Sequence, residues 1–167
     1  MTEIPASERI EIRRINSPIG HPAFDQHGLF AAQDLEPDTI IIDYMGFVHS
    51  SRDADPSSTY DLSLDRELDL GVDSTKMGNE ARFINDYRGI RERPNADFRE
   101  RVVRGQRRMS VWVMPAGKSG KGRKGVRKGE EIVVSYGKGF WAREAVVNHE
   151  DEWDSHDPEH EHVGHLP

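Results

Sequence analysis

Short runs in which apolar and polar residues alternate recur along the chain and predict β-strands. The segments with this alternation, or with a run of β-branched residues, are Glu8–Ile15, Leu29–Ala32, Thr39–Tyr44, Tyr60–Leu64, Leu68–Val72, Phe98–Val103, Ser110–Met114 and Glu131–Ser135. Tyr60–Leu64 and Leu68–Val72 alternate like the two strands of a hairpin. Only Phe140–Asn148 predicts a helix of any length. Many short strands divided by turns indicate a mostly-β domain with few short helices. The pattern leaves open a barrel, a sandwich or a less regular set of small sheets.

Four polar segments separate or follow these strands. Glu36–Asp38 has the composition of a tight turn, and Ser50–Ser58 that of an exposed loop. Gly117–Gly129 is rich in Gly, Lys and Arg, and the chain after Asn148 is rich in acidic residues and His. Such compositions do not bury enough apolar surface to fold, so we predict no fixed structure for the last two segments. The expected organisation is one folded domain over residues 8–147 and a tail over 148–167.

Composition narrows the classes of protein that fit this chain. Its 167 residues are enough for one domain with a buried core. The chain has no cysteine, which excludes disulfides, a thiol nucleophile and a zinc cluster bound by thiolates. No apolar run approaches the roughly 20 residues of a membrane span, so we expect no membrane partner. The net charge of −7 reflects the seven acidic residues of the tail, because the rest of the chain is neutral. Charge alone therefore names no partner.

Two separated segments carry polar side chains inside apolar runs, where a plain core strand would have another Val or Leu. The first is Gly78–Asp86, with the sequence GNEARFIND, and the second is Gly129–Gly137, with the sequence GEEIVVSYG. Together with Gly28–Ala31 and Tyr44–Gly46 upstream, and in this order, they resemble the SET-domain family of protein lysine methyltransferases. The resemblance spans about Ile10 to Trp141. It implies a β-clip-like fold of several small sheets around a knot-like threading of the C-terminal segment.

The resemblance implies that this chain binds S-adenosyl-L-methionine. In the family, the stretch similar to GNEARFIND lies beside the cofactor, and its Asn contacts the amino-acid end of that molecule. The implied cofactor-binding residues are Gly28, Leu29, Phe30, Arg82, Phe83, Asn85, Asp86 and Trp141. The first three are expected to make backbone contacts, because the family's Gly-x-Gly lets the backbone approach the ligand closely. This chain keeps only the second Gly of that motif. Without the family pattern, Asn85 would be read as the polar end of a strand.

The chain departs from the family pattern directly after Asn85. Where the family usually continues His-Ser-Cys, this chain reads Asp86, Tyr87 and Arg88, and Pro94–Asn95 arrives later than usual. Backbone contacts survive a change of side chain, so the departure bears more on the wall of the pocket than on cofactor binding. It indicates a divergent subgroup or a different substrate.

Tyr136 matches the position of the family's catalytic Tyr. Methyl transfer from a sulfonium to an amine is an in-line displacement, which requires alignment more than covalent help. A phenol hydroxyl can orient the attacking nitrogen, and an apolar channel lowers the pKa of the incoming Lys by desolvation. The resemblance assigns Tyr44, Tyr60, Val134 and Phe140 to that channel. For each side chain taken singly, ordinary core packing is the alternative. No metal site is expected, because the His-rich tail lies outside the folded part.

The resemblance implies transfer of a methyl group to a Lys side chain of a basic protein, with a histone tail favoured. The alternative is a SET fold without turnover that binds peptides or nucleic acid as an adaptor. The loop Lys118–Lys128 is basic and suits weak contacts with nucleic acid or nucleosome phosphates, but it has no aromatic residue to stack on bases. Nuclear localisation follows from the expected substrate, with the cytoplasm as the alternative. Monomer and dimer remain equally open.

Overall fold

A computed structural model describes residues 6–116 and 125–137. The helical turn α1 and the strands are, in order, α1 (Ala6–Arg9), β1 (Ile10–Arg14), β2 (His27–Ala31), β3 (Ile40–Asp43), β4 (Phe47–Ser50), β5 (Asp61–Asp65), β6 (Leu70–Asp73), β7 (Asn85–Asp86), β8 (Ala96–Val103), β9 (Gln106–Val113) and β10 (Val133–Val134). Two 3-10 turns, Ser51–Asp53 and Glu80–Phe83, complete this set. The predicted helix Phe140–Asn148, most of the basic loop and the tail lie outside the described residues.

Contacts divide the chain into two compact units, Met1–Ser135 and Tyr136–Pro167. Within the described part of the first unit, the strands form four small sheets: β1–β2, β10–β7, β3–β9–β8 and β4–β6–β5. The prediction of a mostly-β domain of small sheets is confirmed. In the second unit, the described residues are Tyr136 and Gly137, both half-buried, and Gly137 has a positive φ of 81°.

The strand predictions hold in position and differ in length. Residues 60–72 form the predicted antiparallel hairpin of β5 and β6. The predicted first strand is wrong at its start, because residues 6–9 are helical and the strand begins at Ile10. Phe98–Val103 and Ser110–Met114 prove to be parts of one hairpin, β8–β9, whose two strands have eight residues each. Its turn is Arg104–Gly105, and both residues have the positive φ that a two-residue hairpin turn needs.

Strand β4 was missed and strand β10 is shorter than predicted. β4 pairs with β6, yet its first two side chains, Phe47 and Val48, are 56% and 51% exposed. β4 is an edge strand of its sheet, and its apolar side chains do not alternate between a buried and an exposed face. The sequence pattern therefore did not predict a strand here. Glu131–Ser135 was predicted as one strand, but only Val133 and Val134 form a ladder, which pairs parallel with β7.

The segment Glu130–Val134 lies in the centre of the first unit. Ile132, Val133 and Val134 are fully buried. On one side, the Ala31 amide donates to the Glu130 carbonyl and the Ile132 amide donates to the Leu29 carbonyl. On the other side, the amides of Tyr87 and Asn95 donate to the carbonyls of Val134 and Val133. Strands from distant parts of the chain therefore satisfy the backbone of this segment, as burial requires.

The Asn95 side chain fastens the same segment. Its Nδ2 donates to the Glu131 carbonyl at 2.8 Å, and its Oδ1 accepts from the Val133 amide at 2.8 Å. Asn95 is 4% exposed, so these groups have no ready replacement in water. The carboxamide acts as a two-point clasp between the end of the loop 87–95 and strand β10.

Replacement of Asn95 by Ala should destabilise the protein. The buried amide of Val133 would lose its acceptor, which costs about 1–3 kcal/mol of unfolding free energy. Urea unfolding followed by circular dichroism measures the loss. Asn16→Ala is the matched control, because Asn16 is exposed and should change stability by less than about 0.5 kcal/mol. Equal stability of the two variants would contradict the role of the clasp.

His49 in strand β4 is a buried titratable residue of the β4–β6–β5 sheet. Its side chain is 3% exposed, with Nδ1 at 2.9 Å from the Ser50 carbonyl and Nε2 at 3.0 Å from the Asp61 carboxylate. Both neighbours accept hydrogen bonds, so only the doubly protonated ring satisfies both. The Ser50 carbonyl, and then the carboxylates of Asp61 and Asp73, raise the pKa of His49 above 6.5.

Stability should therefore depend on pH through His49. A raised pKa in the folded state means that the stabilisation is fully present below about pH 6.5 and is lost as the pH rises through the folded value. The difference in unfolding free energy between the wild type and His49→Gln should shrink from about pH 6 to about pH 9. Denaturant titrations across that range measure it. His27→Gln, which replaces an exposed ring, is the matched control.

Candidate functional site

A 3-10 turn positions Asn85 in the first unit. Residues Glu80–Phe83 form the turn, and the Ile84 amide donates to the Ala81 carbonyl at its end. Ala81 and Ile84 are buried at 1% and 3% exposure. Because residues three apart lie on one side of a 3-10 turn, these two side chains fasten the turn to the core. Asn85 then starts strand β7 in register with Val133 and is half-buried.

The Asn85 side chain belongs to a polar network. Its Nδ2 donates to Glu131 Oε1 at 2.8 Å and to the His27 carbonyl at 3.3 Å. The other carboxylate oxygen of Glu131 lies 2.8 Å from His21 Nε2. His21 Nδ1 in turn accepts a hydrogen bond from the Ala23 amide at 3.0 Å. This network joins residues near 21, 85 and 131 of the sequence.

Gly28 lets strand β2 approach this network closely. A Cβ at Gly28 would lie 2.8 Å from Glu131 Oε1, 3.0 Å from a ring carbon of Phe30 and 3.1 Å from Ile15 Cδ1. The Glu131 carboxylate therefore fills the space that a side chain at position 28 would take. The next residue, Leu29, is fully buried and offers only its backbone, whose carbonyl accepts from the Ile132 amide.

An open cavity of about 590 Å³ adjoins the network. Its walls include His21, Phe30, Gly89, Ile90 and Glu131. The Arg13 guanidinium lies 3.9 Å from the centre of the Phe30 ring, which is a cation–π arrangement. The cavity has the size of ordinary small-molecule sites and combines apolar walls with a few polar groups.

The predicted channel residues of the first unit form a second cluster. The Tyr44 hydroxyl donates to the Tyr60 carbonyl at 2.7 Å. Burial raises the pKa of Tyr44 to about 12, so this hydroxyl stays protonated near neutral pH. The Arg82 guanidinium lies 4.5 Å from the centre of the Tyr60 ring and 5.8 Å from that of Phe83. Phe83 meets the His27 ring edge to face at 5.9 Å.

These contacts link most of the predicted site residues of the first unit. The chain of contacts runs from Tyr44 through Tyr60 and Arg82 to Phe83, and His27 continues it to Asn85. Gly28 and Phe30 adjoin the Asn85 end. Val134, predicted to line the channel, is fully buried and in register with Asp86.

The other three predicted site residues belong to the second unit. Tyr136 opens the second unit, where it is half-buried. Phe140 and Trp141 lie outside the described residues. Their assignments remain predictions from the family resemblance.

The sequence reading missed His21, Glu131 and Asn95. The GEE sequence marked Glu131 as part of a motif but gave it no role. His21 follows a Pro- and Gly-containing stretch with no periodic pattern, so nothing in the sequence pointed to a buried ring. The signal available for Asn95 was its place in Pro94–Asn95, a pair that the family also carries.

After Asn85, where the sequence departs from the family pattern, hydrogen bonds made by Asp86 and Tyr87 order the backbone. The Asp86 carboxylate accepts a hydrogen bond from the Arg88 amide at 2.9 Å, which forms an Asx turn. The Tyr87 amide donates to the Val134 carbonyl. Asp86 and Tyr87 thus shape the backbone here without the family's His-Ser-Cys.

No group of three or more His, Asp or Glu side chains suited to a metal ion occurs in 6–116 or 125–137. In the same part of the chain, no helix is both long and apolar enough to cross a bilayer.

Comparison with known proteins identifies the family. The family model for the SET domain matches residues 26–137. The chain belongs to the SET-domain family. Its members are typically protein-lysine methyltransferases. Strand β1 precedes the matched residues but pairs with β2 along its whole length, so the fold extends to Ile10.

Two individual proteins show similarity to this SET-domain chain. Histone-lysine N-methyltransferase set-2 of Caenorhabditis elegans is 29% identical over 119 residues, which cover 65% of this chain and 7% of that protein. The chain therefore spans a small part of that relative. A chain in the crystal structure of the Chaetomium thermophilum polycomb repressive complex 2 (PRC2) has the same fold, with a TM-score of 0.58 and 22% identity. The match covers 77% of the present chain and 15% of the PRC2 chain. At that identity, the likeness supports the fold alone.

Replacement of Gly28 by Ala should displace the Glu131 carboxylate. The added methyl group has less than van der Waals space, and overpacking of this kind costs about 1–3 kcal/mol of unfolding free energy. Urea unfolding measures the change. Gly20→Ala is the matched control, because a Cβ there meets no atom within 4 Å. If both variants are as stable as the wild type, the close approach at Gly28 is wrong.

Proposed function

We propose that this protein is an S-adenosyl-L-methionine-dependent protein-lysine N-methyltransferase. The observation that carries the proposal is the SET-domain match over residues 26–137, which includes Asn85 and Tyr136. The similarity to a histone-lysine N-methyltransferase supports the same reaction class. The proposed domain extends over residues 8–147, with residues 148–167 as a tail.

The residues around Asn85 fit such a cofactor. Phe30, one of the predicted contacts, lines the cavity beside His21 and Glu131, and that cavity has room for a ligand of this size. We assign the backbone of Gly28, Leu29 and Phe30 to cofactor contacts. The further assignments are Arg82, Phe83, Asn85, Asp86 and Trp141. When bound, S-adenosyl-L-methionine supplies an electrophilic methyl group on a sulfonium.

The chain's own residues prepare a lysine for attack. An incoming ammonium has a reference pKa of about 10.4, and it must lose a proton before its nitrogen is nucleophilic. Desolvation by an apolar aromatic channel lowers that pKa. We assign Tyr44, Tyr60, Val134 and Phe140 to the channel. Because the Tyr44 hydroxyl donates to the Tyr60 carbonyl, its role in this proposal is to hold the wall rather than to accept a proton.

Tyr136 is the proposed catalytic residue. Its phenol hydroxyl would accept a hydrogen bond from the lysine nitrogen and hold the lone pair toward the methyl group. Alignment of this kind supplies much of the acceleration of a displacement that needs no covalent intermediate. No side-chain base is needed when the channel itself favours the neutral amine.

We propose a basic protein segment as substrate, with a histone tail favoured, and the nucleus as the place of action. The support for this class is that the Caenorhabditis elegans relative is a histone-lysine N-methyltransferase. An extended peptide commonly binds such a groove as an added strand. We assign weak phosphate contacts to the basic loop Lys118–Lys128.

Incubation with labelled S-adenosyl-L-methionine and a mixture of histones tests the proposed reaction. We expect transfer of label to lysine and cofactor binding by calorimetry. Tyr136→Phe should lower the rate by roughly 10²–10³-fold, because it removes one aligning hydroxyl. Tyr87→Phe is the matched control and should retain most activity.

A different set of results would identify the adaptor. Absence of transfer to histones and to other basic proteins, together with absence of cofactor binding, would overturn the proposed reaction. Retained binding of a basic peptide in that case would support the peptide adaptor. Retained binding of nucleic acid, lost when the lysines of 118–128 are replaced, would support the nucleic-acid adaptor.

A further inference from the structure

We infer that Glu131, held in place by His21, is a positioning residue that fixes the orientation of the Asn85 carboxamide toward the ligand. In this arrangement Asn85 presents its oxygen, and the site selects a ligand with a cationic hydrogen-bond donor such as a primary ammonium. The inference rests on the proposed function, because it takes Asn85 as a cofactor contact.

The orientation of the Asn85 carboxamide follows from its two partners. Glu131 Oε1 lies 2.8 Å from Nδ2, and the His27 carbonyl lies 3.3 Å from it. A carboxylate and a carbonyl only accept hydrogen bonds, so both require the NH₂ end of the carboxamide. A flipped amide would place oxygen against two oxygens. The Asn85 oxygen therefore points away from Glu131 and from the His27 carbonyl, and in this inference it accepts from the ligand.

The position of the Glu131 carboxylate is fixed in the same way. Its Oε2 lies 2.8 Å from His21 Nε2, and the side chains of His21 and Glu131 are 6% and 9% exposed. The Ala23 amide donates to Nδ1 of His21, so Nε2 is the ring nitrogen that donates to Glu131.

Glu131 also lines the cavity beside the network. Two cationic side chains also line the cavity, Arg13 and Arg14. Arg13 contacts Glu11 and the Phe30 ring, and Arg14 is paired with Asp25 at 2.7 Å. A buried carboxylate that is held by an imidazole and a carboxamide attracts a cation more strongly than an exposed one does.

Glu131→Gln separates this role from simple packing. The two side chains have nearly the same shape, but a Gln offers one acceptor and one donor where Glu131 offers two acceptors. If the Gln oxygen accepts from Asn85, its NH₂ group faces the His21 proton. If its oxygen accepts from His21, its NH₂ group faces Asn85 and favours the flipped carboxamide. Either outcome weakens the fixed orientation.

Calorimetry with two ligands provides the test. The first ligand is S-adenosylhomocysteine, and the second is its analogue in which hydrogen replaces the α-ammonium group. The full-length wild type should prefer the first ligand. Glu131→Gln should lower the affinity for S-adenosylhomocysteine by about tenfold or more, as expected for a lost hydrogen bond to a charged group. Its affinity for the deaminated analogue should change little. The matched control is Glu130→Gln, because Glu130 is adjacent and its side chain is 40% exposed.

Two variants of His21 test the inference even if the Glu131→Gln variant does not fold. In His21→Gln, the amide nitrogen occupies nearly the position of Nε2 and can still donate to Glu131. In His21→Leu, that donor is lost. We expect His21→Leu to lower the preference for the ammonium ligand and His21→Gln to restore it. A purely structural role predicts equal losses for both ligands in every variant.

The outcomes distinguish this inference from the proposed function. If the wild type binds both ligands and the folded variants keep the wild-type preference, the positioning role is overturned while the methyltransferase proposal stands. If the wild type binds neither ligand, both are overturned.

Discussion

The burial of the segment Glu130–Val134 is the constraint on which the rest of this structure depends. Three consecutive apolar side chains, Ile132, Val133 and Val134, are fully enclosed, so every backbone polar group beside them needs a partner. Strand β2 supplies partners on one side, and strand β7 with the residues after it supplies them on the other. Asn95 adds a side-chain clasp at the point where the two sides meet. The same requirement brings Glu131 to Gly28 and Asn85, so the packing of the core and the assembly of the candidate site are one event.

The local sequence pattern was sufficient to predict those strands and turns that depend mainly on neighbouring residues. The hairpin at residues 60–72 and strand β3 follow from alternation and β-branched composition, and the turn before β3 follows from Pro37 and Asp38. The pattern did not indicate elements that depend on distant partners. β4 forms against β6 although its first two side chains are exposed. Arg104 adopts a left-handed conformation in the β8–β9 turn, where Asn or Asp is the usual signal.

The candidate site shows the same division between local and distant information. The motifs around Gly28, Asn85 and Tyr136 were visible in the sequence because a family carries them in a fixed order. The residues that orient Asn85 were not visible, since His21 and Glu131 lie far from it in the sequence and meet it only through the fold. The sequence does not show whether the oxygen or the NH₂ group of an Asn side chain makes hydrogen bonds within the protein. That information depends on the donors and acceptors that surround it.

The parallel pairing of β7 with β10 has a consequence for the order of events during synthesis. Strands β1 to β9 leave the ribosome before residues 130–134, yet their central neighbour is missing until those residues emerge. Pairings between segments so distant in the sequence form slowly, because the intervening chain must be ordered first. A nascent chain halted before Gly129 would therefore expose the apolar faces of Leu29, Ala31 and Ile84, and such surfaces attract chaperones and neighbouring chains. The last of the described strands to be made closes the core.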